Sequence, residues 1–282
     1  MKRKINKNFN IWLFVLAFGL GLTGQTGPIE GPAQKWRIGI SLETGRGSWI
    51  LEDFDLTKQY AEALNEIPGF NGSTNNINGS SYYDLYLTAQ YNLPKARKIG
   101  MSVGYQHYPG STFEQGWDSP DTAFSQRLKV SAASIPVELF YKIPLSRMVF
   151  FKFAAGIDFY RGSVDYQYSE SGAGETIEQG GRFKTTRLGA HFVYRAEIFL
   201  NRHLALTLRI GAAICKFEDL TGSLEDQSGT ATDMRLVMVE DAVGKYLYHH
   251  PAADPLPPSH RPAEVNISGL RFGLGLTYYL TR

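Results

Sequence analysis

The sequence predicts an all-β fold of eight antiparallel strands, arranged up and down and closed into a transmembrane β-barrel with short periplasmic turns and long extracellular loops. Two observations support this fold class. Eight segments alternate apolar and polar residues with the period of two that belongs to β-strands. The connections between these segments are alternately short and long, as in the up-and-down barrels of bacterial outer membranes.

The N-terminus has the features of a secretory signal. Four basic residues lie among the first seven, and an apolar run follows over residues 11–22. A run of that length is too short to span a membrane comfortably. We therefore predict a signal peptide over residues 1–24, a spacer over residues 25–35 and a barrel domain over residues 36–282, with an uncleaved N-terminal anchor as the alternative.

Each predicted strand has one apolar face and one face of small or polar residues. In the closing strand Leu270, Phe272 and Leu274 alternate with Arg271 and Gly273. The eight segments are WRIGISLETG, YYDLYLTAQYNL, IGMSVGYQH, SIPVELFYKI, FFKFAAGIDFY, RLGAHFVYRAEIFL, LALTLRIGAAIC and GLRFGLGLTYYLTR. Three connections are turns, PKARK, PLSR and NRH, and four are long, at residues 48–81, 108–127, 161–183 and 216–265.

The apolar faces predict contact with lipid. They carry almost no charge, and aromatic residues of the kind found at membrane interfaces lie near their ends, namely Trp36, Tyr91, Tyr105, Tyr141 and Tyr278. The opposite faces are rich in Gly, Ala and Ser, which suits a narrow lumen better than the wet surface of a lipocalin-like barrel, the soluble alternative. Outer-membrane lipid is thus the first predicted partner, and the bacterial outer membrane is the predicted location.

Two strands carry a resemblance to a known group. SIPVELFYKIPL contains an Ile-Pro step and FKFAAGIDFY an Ala-Gly step. With these, the chain after its signal peptide resembles the small eight-stranded outer-membrane barrels of Gram-negative bacteria, the OmpA/OmpX-like and PorT-like group. The resemblance implies the barrel-assembly machinery as a partner but no single activity. Such barrels commonly end on an aromatic residue, whereas here Thr281 and Arg282 follow Leu280, so Tyr278 or Tyr279 is expected to replace it.

The inward-facing positions collect charges of both signs in equal numbers. The bases are Arg37, Lys152, Arg195, Arg209 and Arg271, and the acids are Glu43, Asp84, Glu138, Asp158 and Glu197. Because an eight-stranded barrel is only just wide enough for side chains to fill it, we expect a closed lumen neutralised by salt bridges. Arg209 is expected to pair with Glu197 on the neighbouring strand. A selective pore, the alternative, favours an excess of one sign.

One histidine is a candidate for catalysis. His191 lies on the lumen face, and a hydrolase acting on lipid would need it to reach a serine nucleophile on a neighbouring strand. Ser102 and Ser131 are the candidate nucleophiles, yet no motif surrounds either. A lone lumen histidine is more often a hydrogen-bonded core residue, so no catalytic residue is assigned and the chain is not predicted to be an enzyme.

Metal and cofactor binding have weak support in the sequence. His249, His250 and His260 gather in the longest connection, but their spacing matches no defined metal site. The single cysteine, Cys215, excludes an internal disulfide and a Cys-based metal centre. We therefore predict no metal and no cofactor.

The long connections are where recognition is expected. In the first, Leu56, Tyr60, Leu64 and Ile67 recur at helical spacing, which predicts a helix that caps the barrel mouth rather than lying on the outer leaflet. The net charge of +2 favours no nucleic-acid partner. Two function classes stay open: a non-enzymatic surface barrel that stabilises the envelope or presents its loops to an extracellular ligand, and a small-solute pore or lipid-handling barrel.

Overall fold

The computed structural model describes residues 38–48, 52–75, 81–93, 98–119, 121–172 and 175–280. The predicted signal peptide and spacer lie outside these residues, as do Trp36, Arg37, Thr281 and Arg282. No helix within the described stretches has the length and hydropathy needed to cross a membrane.

The described residues form fifteen strands and one helix. In chain order they are β1 (Ile38–Ser48), α1 (Glu52–Leu64), β2 (Asn71–Asn75), β3 (Ser81–Asn92), β4 (Ile99–Asp118), β5 (Thr122–Pro144), β6 (Val149–Gly172), β7 (Glu175–Phe199), β8 (Leu204–Ile214), β9 (Lys216–Phe217), β10 (Thr221–Asp226), β11 (Gly229–Glu240), β12 (Lys245–Pro251), β13 (His260–Pro262), β14 (Val265–Asn266) and β15 (Gly269–Leu280).

Eight strands close into a ring. They pair antiparallel in the order β1, β3, β4, β5, β6, β7, β8 and β15, and β15 pairs back to β1. At the closure Ile38 lies opposite Leu280, and Glu43 lies opposite Gly275. The ring has the strand number, order and direction that the sequence predicts, so the eight-stranded barrel is confirmed.

Side chains along the ring strands alternate between the lumen and the outer surface. In β1, Ile38, Ile40 and Leu42 point outward with 44%, 45% and 53% of their surface exposed, whereas Ser41 and Glu43 are buried. A continuous apolar surface of this extent is a liability in water. The closed ring leaves no unpaired backbone edge, which is the condition for strands to lie in lipid. The ring is therefore a transmembrane barrel with its apolar faces toward lipid.

The outward face changes from apolar to polar part-way along the strands. In β6 the outward residues Ile157 and Phe159 are followed by Arg161 and Ser163 on the same face. The apolar stretch before this change, residues 149–159, has the ~9–11 residues that a tilted strand needs to cross a bilayer. Strands β5 and β7 change in the same way at the positions that pair with this part of β6. The outer membrane boundary therefore lies next to Phe159.

The long connections contain regular structure, which was not predicted. Residues 108–127 and 161–183 continue as strands, so that β4 and β5 stay paired as far as Asp118 and Ala123. Strands β6 and β7 stay paired as far as Gly172 and Glu175. Pairing persists because the period-two alternation persists, with the apolar residues now on the inner face. We call the part of the molecule beyond the boundary the extracellular extension; it comprises these strand ends with β2, β9–β14 and α1.

The sheet of the extracellular extension is open, and α1 bridges its two edges. Strand β2 takes the place of β3 beside β4, and β10 takes the place of β8 beside β7, followed by β11 and β12. The helix contacts β2 and β4 on one side and β12 on the other. The predicted helix is therefore present over Glu52–Leu64, where it lies between the two edges of the sheet, and Ile67 lies beyond its end.

Polar contacts fix α1 in this position. The Asp53 carboxylate accepts hydrogen bonds from Arg261 at 3.0 and 2.5 Å and from the backbone N–H of Glu264 at 2.7 Å. The Tyr60 hydroxyl donates to Asp241 at 3.1 Å. Burial, with help from the Asp241 carboxylate, raises the pKa of Tyr60 to about 12, so the phenol remains a donor at neutral pH.

A hydrophobic core fills the extracellular extension. Phe217 of β9, Leu236 of β11 and Val265 of β14 insert between the strand ends and are almost fully buried, together with Leu128 and Phe183 of the wall. The longest predicted connection is therefore folded into the barrel mouth and closes it on the extracellular side.

Candidate functional site

The lumen holds nine of the ten charged residues predicted to lie there. Each is at most 5% exposed, and the tenth, Arg37, lies outside the described residues. We call these nine residues the lumen network: Glu43, Asp84, Glu138, Lys152, Asp158, Arg195, Glu197, Arg209 and Arg271. Their charges are buried, so what matters is whether each has a partner.

At its periplasmic end the lumen network consists of a lysine–glutamate ion pair that lies beside aromatic rings. The Lys152 ammonium contacts Glu197 and Gln90, and it lies 3.0 Å from the Tyr279 hydroxyl. That hydroxyl donates to Glu197 at 2.6 Å. The Tyr279 ring stacks on Phe199 with centroids 5.2 Å apart. These contacts close the periplasmic end of the lumen with an ion pair whose net charge is zero.

The middle level is centred on the Glu138 carboxylate. Arg195 donates to it through two nitrogens, at 2.9 and 3.0 Å, in the bidentate geometry that suits guanidinium and carboxylate. Tyr86 and Ser102 each donate a hydroxyl to the same carboxylate at 2.7 Å. The third nitrogen of Arg195 reaches Glu43 at 3.2 Å.

The predicted pairing of Arg209 is wrong. Arg209 contacts Asp84 at 2.8 and 2.9 Å and Glu43 at 3.1 Å, and Glu197 binds Lys152 instead. The cross-strand neighbour of Arg209 on β7 is Arg195, a like charge, whereas the acids lie on β1 and β3. In so narrow a barrel a long side chain reaches beyond the adjacent strand, so adjacency does not decide its partner.

A glycine provides the space for this arginine. A Cβ atom added to Gly273 would lie 2.7 Å from Nε of Arg209, and one added to Gly275 would lie 2.6 Å from Cγ of Glu43. Real Cβ atoms do not approach other atoms so closely. The glycines of the closing strand therefore make room for the lumen network, as their inward position suggested.

His191 does not form a catalytic pair with serine. Its Nδ1 lies 2.7 Å from Asp158 and its Nε2 lies 3.1 Å from Glu138, so carboxylates occupy both ring nitrogens. Ser102 bonds to Glu138, and Ser131 bonds to Ser163 at 2.8 Å on the outer side of the barrel. No ring nitrogen is left to activate either serine, which a hydroxyl nucleophile requires.

Arg271 lies at the extracellular end of the lumen network. Its Nη2 donates to the Tyr160 hydroxyl at 2.7 Å and its Nη1 to Gln106 at 3.2 Å, while the guanidinium lies 5.2 Å from the centre of the Tyr108 ring. A cavity beside Glu138 and His191 measures about 10 Å³, which is room for about one water molecule. Side chains therefore fill the lumen at this level.

Sequence reasoning missed one charged lumen residue, Lys142. It is 5% exposed, sits opposite Lys152 in the strand register, and its Nζ lies 5.5 and 5.2 Å from the ring centres of Phe140 and Tyr279. The signal was available, because Lys142 shares the inward parity of Glu138 in β5. With Lys142 the described lumen contains five Lys and Arg side chains and five Asp and Glu side chains, besides His191.

Two of the three histidines of the longest connection, His250 and His260, lie side by side, whereas His249 packs against tyrosine rings. The His249 ring stacks on Tyr248 with centroids 4.2 Å apart, and the rings of His250 and His260 lie 5.9 Å apart. Burial lowers the pKa of His249. In the described part of the chain no three His, Cys, Asp or Glu side chains are arranged so that they could hold a metal ion.

An open cup lies on the outward face of the sheet of the extracellular extension. Its volume is about 730 Å³, and its wall is formed by the ends of the β4–β5, β6–β7 and β10–β11 hairpins. Outward-facing glutamine, serine and acidic side chains line it, among them Gln167, Ser169 and Glu178. The sequence analysis missed this site because it treated these residues as connections; the signal was the continued alternation through residues 108–127.

The comparisons with known proteins find similarity only at the level of structure. No family model and no curated protein matches the chain. A major outer membrane protein of Thermus thermophilus is 16% identical with a TM-score of 0.46, over 86% of this chain and 99% of that one. OprG of Pseudomonas aeruginosa is 10% identical with a TM-score of 0.42, over 90% and 100%.

A third similar structure is the outer membrane protease OmpT of Escherichia coli, 9% identical with a TM-score of 0.35, over 86% of this chain and 97% of that one. At these identities and TM-scores the likeness is one of barrel fold alone. The closed ring and its lipid-facing apolar belt are the direct observations on this chain. The chain is an outer-membrane β-barrel, similar to the small barrels of that membrane.

Proposed function

We propose that this barrel is a non-enzymatic protein with a closed lumen, which acts at the cell surface by presenting its cup to an extracellular ligand. The observation that carries the proposal is that the path through the barrel is closed at two places. The lumen network blocks the membrane part, and the core around Leu236 and Val265 blocks the extracellular extension. A pathway for solutes would have to disrupt both.

The absence of a serine–histidine pair supports the non-enzymatic part of the proposal. In the described residues both nitrogens of His191 face carboxylates, and the two candidate serines bond elsewhere. The open cup is the part of the molecule that a ligand outside the cell can reach without rearrangement. An envelope-stabilising role is compatible with the same architecture.

Conductance of the purified chain in a planar lipid bilayer tests the closed lumen. We expect current at the level of a protein-free detergent control. We expect the same for Lys152→Ala with Glu197→Ala, because removing that neutral pair opens only the lower barrier and leaves the upper core intact. A large, stable, ion-selective conductance of the wild-type chain would overturn the proposal in favour of a pore.

A further inference from the structure

The outward face of the extracellular extension carries a band of bases directly beyond the apolar belt that meets lipid. The band covers the neighbouring strands β5, β6 and β7 over residues 129–133, 161–165 and 182–186. Its outward charged side chains are the four bases Lys129, Arg161, Arg182 and Lys184 and the acid Asp165. Four bases against one acid leave an excess of positive charge on this face.

The strand register places the bases around one serine. Ser163 lies opposite Lys184 on β7 and opposite Ser131 on β5, and the Cβ atoms of directly opposite residues are ~4.5–5.5 Å apart. Lys129 stands at a diagonal position to Ser163, at ~7–8 Å. Arg161 is the next outward residue of β6 on the membrane side. We call Lys129, Ser131, Arg161, Ser163 and Lys184 the boundary cluster.

The bases of the boundary cluster are available to a ligand. Among the residues that the structure describes, Lys129, Arg161 and Lys184 are exposed and take part in no ion pair. The acid of the band, Asp165, already contacts Arg182 at 2.5 Å. Three positive charges around Ser163 are therefore left for an anion.

The two serines add a hydrogen-bond donor to these charges. The Oγ atoms of Ser131 and Ser163 lie 2.8 Å apart. Each hydroxyl has one proton, so their mutual contact uses one proton and leaves the other to donate outward. A phosphate monoester carries a charge of about −1.5 to −2 at neutral pH and three acceptor oxygens, whereas a carboxylate has a single charge and two oxygens. The boundary cluster is therefore better matched to phosphate.

The position of the boundary cluster favours a phosphate that belongs to a lipid. On the same outward face, Phe159 lies opposite Ile135 and Leu188, and these three residues end the apolar belt. Arg161 and Lys184 follow two and four residues beyond this row, which at ~3.3 Å per residue and a strand tilt of ~40° is ~5 and ~10 Å. The headgroup region of a bilayer extends about 5–8 Å beyond the hydrocarbon, and flexible basic side chains reach the remaining distance.

From these contacts we infer that the boundary cluster is the binding site for the phosphate headgroup of a lipid of the outer leaflet. The acyl chains of that lipid lie against the belt next to Phe159. Arg161 and Lys184 bind the phosphate oxygens from two sides, and the serine hydroxyl donates between them. The inference goes beyond the proposed function, which concerns the cup.

An acidic polypeptide is the competing ligand, and the charges of the neighbouring rows argue against it. Beyond the basic band, the outward charged residues of the cup are Glu114, Glu178, Glu225 and Arg127. Three acids against one base repel an acidic chain that approaches from the extracellular side. A lipid headgroup reaches the boundary cluster within the membrane plane and avoids the cup.

Native mass spectrometry of the full chain released from lipid nanodiscs tests the inference, because it counts the lipids that stay bound. The nanodiscs contain phosphatidylcholine with a minor share of phosphatidic acid, whose headgroup is a phosphate monoester. We expect phosphatidic acid to be retained at least tenfold above its share. Arg161→Gln and Lys184→Gln should each lower this retention about fivefold. Arg46→Gln removes an exposed outward base of β1, away from the boundary cluster, and is the matched control with wild-type retention.

Both substituted bases of the boundary cluster are exposed, so the variants should keep the folded gel mobility of the wild type. Excess inorganic phosphate and polyglutamate are added separately to distinguish a lipid from a free anion or an acidic polypeptide, and neither should displace the lipid. The inference is overturned if phosphatidic acid is not enriched, if both variants retain it like the wild type, if Arg46→Gln loses it equally, or if either soluble probe displaces it. The conductance test does not depend on any of these results.

Discussion

The membrane part of the barrel and the extracellular extension are built from the same strands with opposite polarity. Below the boundary, Ile157 faces lipid and Asp158 faces the lumen; above it, Ser163 faces solvent and Val164 faces a core. The pleat of β6 runs through the boundary without interruption. The strand geometry is therefore the same in both regions, and only the surroundings of the two faces change.

This difference shows which force holds each region closed. In the membrane, lipid covers the apolar face, and the interior is free to be polar because the lumen network pairs its charges. Outside, water covers the polar face, and the interior must be apolar to drive folding. The membrane barrel is thus specified by charge pairing and backbone closure, and the extracellular extension by hydrophobic packing.

The largest effect is expected from removing a lumen charge. Arg209→Ala leaves Glu43 and Asp84 without this cation in a buried site, which should cost about 3–5 kcal/mol of unfolding free energy. Urea unfolding in lipid vesicles, followed by the gel mobility of unboiled samples, measures it. Adding Asp84→Ala should relieve part of the loss, whereas adding Glu197→Ala should act additively. Coupling to Glu197 and none to Asp84 would contradict the pairing in the structure.

A core substitution in the extracellular extension should be somewhat milder and local. Leu128→Ala truncates a fully buried side chain and should cost about 2–5 kcal/mol. We expect faster trypsin cleavage at exposed sites beyond the boundary, such as Lys129 and Lys184, while the membrane ring keeps its folded gel mobility. Leu139→Ala, in the same strand but facing lipid, is the control and should leave cleavage unchanged. Loss of the ring along with the extension would show that the two regions fold as one.

The smallest of the three effects is expected at the lipid face. Leu274→Arg, in the apolar belt, should cost roughly 2–4 kcal/mol because the charge meets the hydrocarbon interior. The Thr186 side chain points outward beyond the boundary, so Thr186→Arg should change the unfolding free energy by close to nothing. Unfolding in vesicles compares the two variants, and equal costs would mean that the boundary at Phe159 is misplaced.

The lumen network could be predicted as a set but not as pairs. Period-two parity places a residue inside or outside wherever a strand is recognised, which explains why the nine described members were predicted and why Lys142 could have been. Parity carries no information about which strands face one another across the lumen. Arg209 was therefore assigned to a sequence neighbour, while its partners lie on strands from the other end of the chain.

The cup could not be predicted from the sequence for a different reason. The residues that line it come from five strands and the turn after β10, and their proximity depends on the strand registers and on the replacement of β8 by β10 beside β7. Alternation in residues 108–127 hints at strands, but the exchange of apolar and polar faces at the boundary hides the pattern. The cup exists only once those registers are set.

The sequence by itself determined the eight strands of the ring, their order and the face that meets lipid, because these depend on local alternation and on connection length. The tertiary structure alone decided the ion pairs across the lumen, the folding of residues 216–265 into the mouth and the cup on the extracellular extension. Those features depend on barrel diameter and strand register, which bring together side chains far apart in the chain. The alternation of residues along the chain sets the first group of features, and the three-dimensional arrangement of distant segments sets the second.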